Sequence, residues 1–221
     1  MASKTKVQYV CTECGFESAK WYGKCPSCNA WNTMEEEVRN TTTTAKRIHS
    51  AVGSGIIAKP VGLHEIDSTE EQRYHTGLSE LDRVLGGGLV KGSLVLISGD
   101  PGIGKSTILL QICQYMGNTL KILYVSGEES VKQIKLRASR LGVTSDNLSL
   151  MAETDIQAIL EQVRVVKPDI LIVDSIQTMN HTDITSSPGS ITQVRECTNA
   201  IMHTAKDLEI PALVVGHVNK D

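Results

Sequence analysis

From Gln72 to the end of the chain, short apolar runs alternate with segments of helical periodicity. The runs are "SLVLIS", "KILYVS", "LSLMA", "DILIVDS" and "PALVVG". Between them lie "STILLQICQYM", "SVKQIKLRASRLG", "TDIQAILEQVRVV" and "SITQVRECTNAIMHTAKDLE". Apolar strands separated by amphipathic helices predict βα units and a mainly parallel sheet buried on both faces. Thr154 with Gln157, and Ser190 with Gln193, have the spacing of a capping box at a helix start. Pro168 and Pro211 fall where helices stop and strands begin. Near 131–141, Val131, Ile134, Ala138 and Leu141 form one apolar face, which predicts that Lys132, Lys135, Arg137 and Arg140 are a solvated face.

Between Thr33 and Ser68 the periodicity fails. The stretch runs through "EEEV", "TTTT", "GSG" and "KPVG", too polar to bury much apolar surface. The expected division is a small N-terminal unit over 1–34, a linker over 35–68 and a main α/β domain over 69–221. The chain closes at "GHVNKD", just after a strand pattern, so the main domain is expected to be incomplete at its C-terminus.

A length of 221 residues accommodates one full domain with a core and a small appendage. No eighteen-residue uncharged apolar run is present, so no membrane span is expected. "MASKTKVQYV" lacks the apolar stretch of a secretory signal, so a reducing, cytoplasmic setting is expected. The formal net charge of -3 gives no bulk electrostatic argument for nucleic-acid binding, and any such contact must be local.

Chemistry enters with "GDPGIGKST", residues Gly99, Asp100, Pro101, Gly102, Ile103, Gly104, Lys105, Ser106 and Thr107. It satisfies G-x-x-x-x-G-K-[ST] between a strand pattern and a helix pattern, the context the motif requires. Such a loop curls backbone N–H groups round phosphates. Lys105 reaches the β- and γ-phosphates, and the Ser106 hydroxyl ligates magnesium. Asp174, closing "DILIVDS", is the candidate second magnesium ligand. Hydrolysis also needs a group to orient or deprotonate water, and "SGEES" offers Glu128 and Glu129 just past a strand, one of them catalytic and the other solvated.

Four of the six cysteines lie in "CTECGFESAKWYGKCPSCNAW": Cys11, Cys14, Cys25 and Cys28. Two C-x2-C pairs suit a closed four-thiolate structural zinc site, with iron–sulfur or redox chemistry as the alternatives. Trp21 and Trp31 are expected to cover this small module, or else to stack on bases. Cys113 and Cys197, on helical patterns, read as buried core thiols. His49, His64, His75, His181 and His203 show no ligand spacing.

The span "TGLSELDRVLGGGLVKGSLVLISGDPGIGKST" resembles the opening of RecA-type ATPases. Joined to the leading four-cysteine block, the chain is similar over nearly its whole length to a bacterial DNA-repair branch of that family. The resemblance implies a RecA-type P-loop three-layer domain preceded by a zinc ribbon. It implies an ATP-driven, DNA-dependent ATPase that loads on single-stranded DNA, works as a homo-hexamer with a recombinase partner, and promotes branch migration of recombination intermediates. ATP, Mg2+ and Zn2+ are the cofactors it implies. Position by position, Glu128 takes the place of the catalytic glutamate, Asp174 that of the magnesium carboxylate, and His217 that of the γ-phosphate sensor. The segment "NHTDITSSPGSITQVR", ending in Arg195, takes the place of a mobile DNA-facing loop. The family's later Lys-Asn-Arg-Phe-Gly motif and protease-like domain do not occur in this sequence. A nucleotide-gated protein-binding module is the alternative reading, and a replicative-type helicase a third.

Overall fold

The computed structural model describes residues 5–40, 61–65 and 72–217. Most of the expected linker, together with His49 and the last four residues, lies outside them. The N-terminal unit is a three-stranded antiparallel sheet of β1 (Thr5–Cys11), β2 (Glu17–Ser18) and β3 (Met34–Asn40) in the order β2-β1-β3. β3 pairs with β1 along its whole length, from Cys11↔Met34 to Thr5↔Asn40. The expected start of the linker at 35 is thereby corrected, because the sheet runs on to Asn40. A backbone ladder satisfies N–H and C=O groups whatever the side chains, so a polar strand can form where one apolar partner strand accepts it.

The main domain opens with a short antiparallel pair, β4 (Arg73–Tyr74) and β5 (Leu89–Val90), around α1 (Ser79–Val84). There follow β6 (Leu94–Gly99), α2 (Lys105–Met116), β7 (Ile122–Ser126), α3 (Val131–Arg140) and β8 (Leu148–Ala152). The chain continues with α4 (Ile156–Val166), β9 (Ile170–Asp174), α5 (Ile191–Asp207) and β10 (Ala212–His217). β6 to β10 form one parallel sheet in the order β6-β10-β9-β7-β8.

Every residue of β7 and β9 is buried, which explains their unbroken apolar sequence. Alternate residues serve opposite layers. Leu123, Val125, Leu171 and Val173 pack with Ile159, Val163 and Ile201 from α4 and α5. Ile122, Tyr124, Ile170 and Ile172 pack with Leu109, Ile112 and Ile134 from α2 and α3. The expectation of a sheet buried on both faces holds for the inner strands but not for β6, an edge strand on which Leu96 is 58% exposed.

Two of the helix starts differ from expectation. α4 is capped by Asp155, whose carboxylate accepts from the Gln157 amide at 2.9 Å, rather than by Thr154. Two residues before the amide it serves, the carboxylate reaches directly and adds a negative charge at the dipole's positive end. A reciprocal capping box forms at Ser130 and Gln133 on α3, which the sequence reading did not single out. Ser190 caps α5 as expected.

Candidate nucleotide site and four-cysteine cluster

Parallel strands end at the same edge of a sheet, so register alone assembles this site. His217 lies opposite Gly99, and Ser126 lies opposite Asp174. The strand order therefore sets Gly99, His217, Asp174 and Ser126 in a row along the C-terminal edge, where ligands of open α/β sheets bind.

The phosphate loop leaves β6 at Gly99 and enters α2 at Lys105. Gly104 sits at the helix N-cap with φ of 99°, a left-handed conformation that a side chain would strain. Lys105 is buried, and its Nζ donates to the carbonyl oxygens of Gly99 at 2.7 Å and Asp100 at 2.9 Å. The ammonium is thus held inside the loop by neutral acceptors, which an anion's oxygens would replace with a stronger, charge-assisted bond. Ser106 and Thr107 occupy the first turn of α2, where N–H groups lack intrahelical partners.

Asp174 closes β9 and is buried. The Tyr124 hydroxyl on the neighbouring strand β7 donates to its Oδ2 at 2.5 Å. Burial, then the charge of Asp174, push the Tyr124 phenol well above its ordinary range, so it stays protonated as a donor. Beyond β7 the chain turns sharply at Gly127, where a Cβ would lie 2.1 Å from Thr178 Oγ1. That close passage leads into Glu128 and Glu129, whose amides both donate to Ser126 Oγ.

The two glutamates then diverge. Glu129 is clasped by Arg137 of α3, with Nη1 to Oε1 and Nη2 to Oε2 both at 3.0 Å. Arg137 therefore does not belong to the solvated basic face expected of it, because the Glu129 carboxylate, just before the N-cap of the helix, engages its fork. Glu128 turns to the row of strand ends. Its Oε1 accepts from the Ser175 hydroxyl at 2.7 Å and lies 3.3 Å from His217 Nε2. The Ser175 hydrogen bond, followed by the His217 imidazole and the Lys105 charge, holds the Glu128 carboxyl below its ordinary range against the opposing effect of burial. Glu128 is thus an ionised carboxylate set between Ser175 and His217, within the electrostatic reach of the phosphate-loop lysine. His217 Nδ1 is buried and has no hydrogen-bond partner among the described residues.

The loop from Asn180 to Ser190 is tied at its base rather than free. Gln193, fully buried, donates to the carbonyls of His181, Ile184 and Ser186 at 3.0–3.3 Å and accepts from the His181 amide at 2.8 Å. Arg195 follows on the first turns of α5, its side chain 44% exposed and paired with Glu17 at 2.7 Å and Glu196 at 3.3 Å.

In the ribbon, the four cysteine Sγ atoms all lie within 4.8 Å of one another, with 3.6 Å for both Cys11–Cys28 and Cys14–Cys25. Four thiolates about 2.3 Å from a tetrahedral zinc stand about 3.8 Å apart, so the cluster fits that metal. Burial pushes the Cys11 thiol up, but the Thr33 hydroxyl and the Cys14 and Glu13 backbone outweigh it and bring it down to about 6. For Cys28, the Ala30 backbone bond lowers the thiol, yet burial and the other three sulfurs drive it up to about 12. Such a set releases one proton readily and the last reluctantly, and a divalent cation supplies the missing charge.

The tryptophans do not cover this cluster. Met34, Tyr9 and Phe16 pack round Cys11 and Cys25, while Trp21 and Trp31 stay 56% and 70% exposed. Trp21 is tied to the ribbon's surface by its Nε1 bond to the Met34 carbonyl, and Lys24 lies 5.6 Å over the Trp31 ring. Cys113 and Cys197 are buried core thiols, as expected. No helix among the described residues is long and apolar enough to cross a membrane.

A phosphate loop, a strand-end aspartate and a glutamate bonded to Ser175 beside His217, set on a five-stranded parallel sheet, define a P-loop domain. The chain belongs to the AAA domain family, whose model matches residues 60–221, and residues 9–36 match the rubredoxin metal binding domain. It is homologous to bacterial proteins named DNA repair protein RadA. It is 51% identical to that of Bacillus subtilis (strain 168) over 220 residues and 50% identical to that of Listeria monocytogenes serovar 1/2a over 221. It is 48% identical over 219 residues to that of Streptococcus pyogenes serotype M1. Each match covers 99% of this chain and 48% of the relative, so the chain spans about half the length of the curated relatives it matches.

Proposed function

We propose that this chain is the nucleotide-hydrolysing part of an ATP-driven motor of DNA repair and homologous recombination, which binds single-stranded DNA and promotes branch migration. The row Gly99, His217, Asp174, Ser126, with Glu128 turned into it, is the observation that carries this reading. Similarity to repair proteins supports the choice of substrate.

In this reading Lys105 leaves the Gly99 and Asp100 carbonyls for the β- and γ-phosphate oxygens of ATP, and the loop amides of 100–107 cradle them. Ser106 and Asp174 would hold magnesium, which would supply charge neutralisation at the phosphates. Glu128 orients a water and takes its proton as the water oxygen bonds to the γ-phosphorus. The bond from that phosphorus to the oxygen bridging the β-phosphate breaks, giving ADP and inorganic phosphate. His217, touching Glu128 beside Gly99, reports whether the γ-phosphate is present. Glu129 positions the turn through Arg137 and takes no part in proton transfer.

The remaining assignments follow the same reading. A ribbon holding zinc through Cys11, Cys14, Cys25 and Cys28 is joined by a linker to the ATPase domain. Residues 180–195 face single-stranded DNA, and the full-length protein assembles as a hexameric ring in the cytoplasm with a recombinase as partner. The DNA assignment is tested by fluorescence anisotropy of the full-length protein with a labelled single strand at rising salt. Phosphate contacts make log affinity fall linearly with log salt. A salt-insensitive or absent affinity would favour a nucleotide-gated protein-binding module instead.

A further inference from the structure

The ribbon and the ATPase domain meet at one place among the described residues where opposite charges are closely paired. Glu17, on the edge strand β2, accepts from Arg195 Nη2 at 2.7 Å across 178 positions of sequence, and Gln8 donates to its other oxygen at 2.8 Å. Beside this pair Gly15 packs so closely on Ile191 that an added Cβ would stand 3.2 Å from its Cγ2. A cleft of about 80 Å³ runs between Thr12, Glu35 and Glu36 of the ribbon and Ser186, Ser187 and Thr192 of the loop and α5. It has room for a few waters but not for a nucleotide.

We propose that this surface, Arg195 with the loop over 185–192, is shared by two occupants in turn: the chain's own ribbon and the phosphate backbone of single-stranded DNA. The proposal rests on the reading of 180–195 as DNA-facing. The ribbon presents three carboxylates there, Glu17, Glu35 and Glu36, and so offers the loop the charge that a phosphate backbone would. The Glu17 hydrogen bond pushes the Arg195 guanidinium further above its ordinary range, against the opposing effect of burial. A strand of DNA meeting the seated ribbon encounters like charge and a cleft too narrow to admit it, whereas a strand replacing the ribbon exchanges one charge-assisted bond to Arg195 for another.

The cysteine cluster controls this seat. Glu17 stands three residues beyond Cys14, after a knuckle closed by Gly15 N to Cys11 O at 2.8 Å and Cys11 N to Phe16 O at 2.9 Å. Loosening the knuckle displaces the carboxylate, so loss of zinc acts on the loop as loss of Glu17 does.

The test uses full-length, zinc-loaded protein with the variants Glu17→Gln, Glu17→Lys and Arg195→Gln. Without DNA, amide hydrogen exchange over 185–195 is expected to quicken in both Glu17 variants and in wild type treated with a zinc chelator. Glu17→Gln is expected to tighten single-strand affinity about three- to tenfold at low salt and to leave DNA-independent ATP turnover unchanged. Identical exchange over 185–195 in wild type and both Glu17 variants would overturn the seat, whatever DNA does. Quickened exchange with unaltered affinity in Glu17→Gln would overturn the competition. If Arg195→Gln also binds DNA as wild type does, the fault lies with the DNA-facing reading itself.

Discussion

Replacing Ser175 by Ala removes the hydroxyl that donates to Glu128 Oε1 at 2.7 Å, the largest influence keeping that carboxyl below its ordinary range. Its pKa then rises toward the usual carboxylate value, and the acid limb of kcat/KM against pH moves to higher pH. The sign also fixes the effect on stability. A depressed carboxyl stabilises the fold above its unfolded pKa, and the contribution fades as pH falls through the folded value. Ser175→Ala narrows that window, and an unshifted acid limb would separate Glu128 from the chemistry. Tyr124→Phe tests the proposed magnesium role of Asp174 instead. Losing a buried hydrogen bond to a charged group, worth about 1.5–3 kcal/mol, should lower kcat at least about tenfold and raise the magnesium concentration needed for half activity. A merely structural role would lower Tm and leave the magnesium dependence alone. Lys105, Ser106 and Asp174, as candidates, and the four cysteines that the structure gathers are legible in sequence because each belongs to a short local motif. Tyr124 and Ser175 were not, since their partners lie 50 and 47 residues away and meet them only through the pairing of β7 with β9.

At the scale of elements, the alternation of apolar runs and amphipathic segments located the five parallel strands and the helices between them. What it could not show was β3, whose "MEEEVRN" has no continuous apolar signal and forms because β1 supplies a full ladder. Nor could it distinguish Thr154 from Asp155 as the cap of α4, because adjacent polar residues compete for the same amides. The loop before α5 is expected to be mobile, and although Gln193 is legible as a capping partner of Ser190, its folding back onto the carbonyls of Ile184 and Ser186 is a tertiary contact that spacing does not reveal. Element packing carries its own predictions. Ile201, fully buried on α5 in the layer with Leu171 and Val173, should cost about 2–5 kcal/mol when cut to Ala, seen as a lowered denaturation midpoint. Cys28→Ala should release zinc, measured by metal analysis, and leave nucleotide binding by the ATPase domain intact. Stoichiometric zinc in that variant would count against four-sulfur ligation.

Across the whole molecule, one parallel sheet does the positioning. Its order carries the phosphate loop, His217, Asp174 and the Glu128 turn to one edge, and the helix that begins at the candidate DNA loop returns the chain to β10, which ends at His217. The candidate nucleotide edge and the loop are thus connected through α5 and β10, and the ribbon's carboxylates meet the same loop from outside. The central claim is that ATP turnover answers to DNA through this framework. The most direct measurement is steady-state phosphate release by the full-length protein with and without single-stranded DNA, alongside Lys105→Ala. Turnover is expected to be raised by DNA in the wild type and lost, by at least about a hundredfold, in the variant that lacks the phosphate-loop cation. Turnover indifferent to DNA, or undiminished in Lys105→Ala, would contradict it.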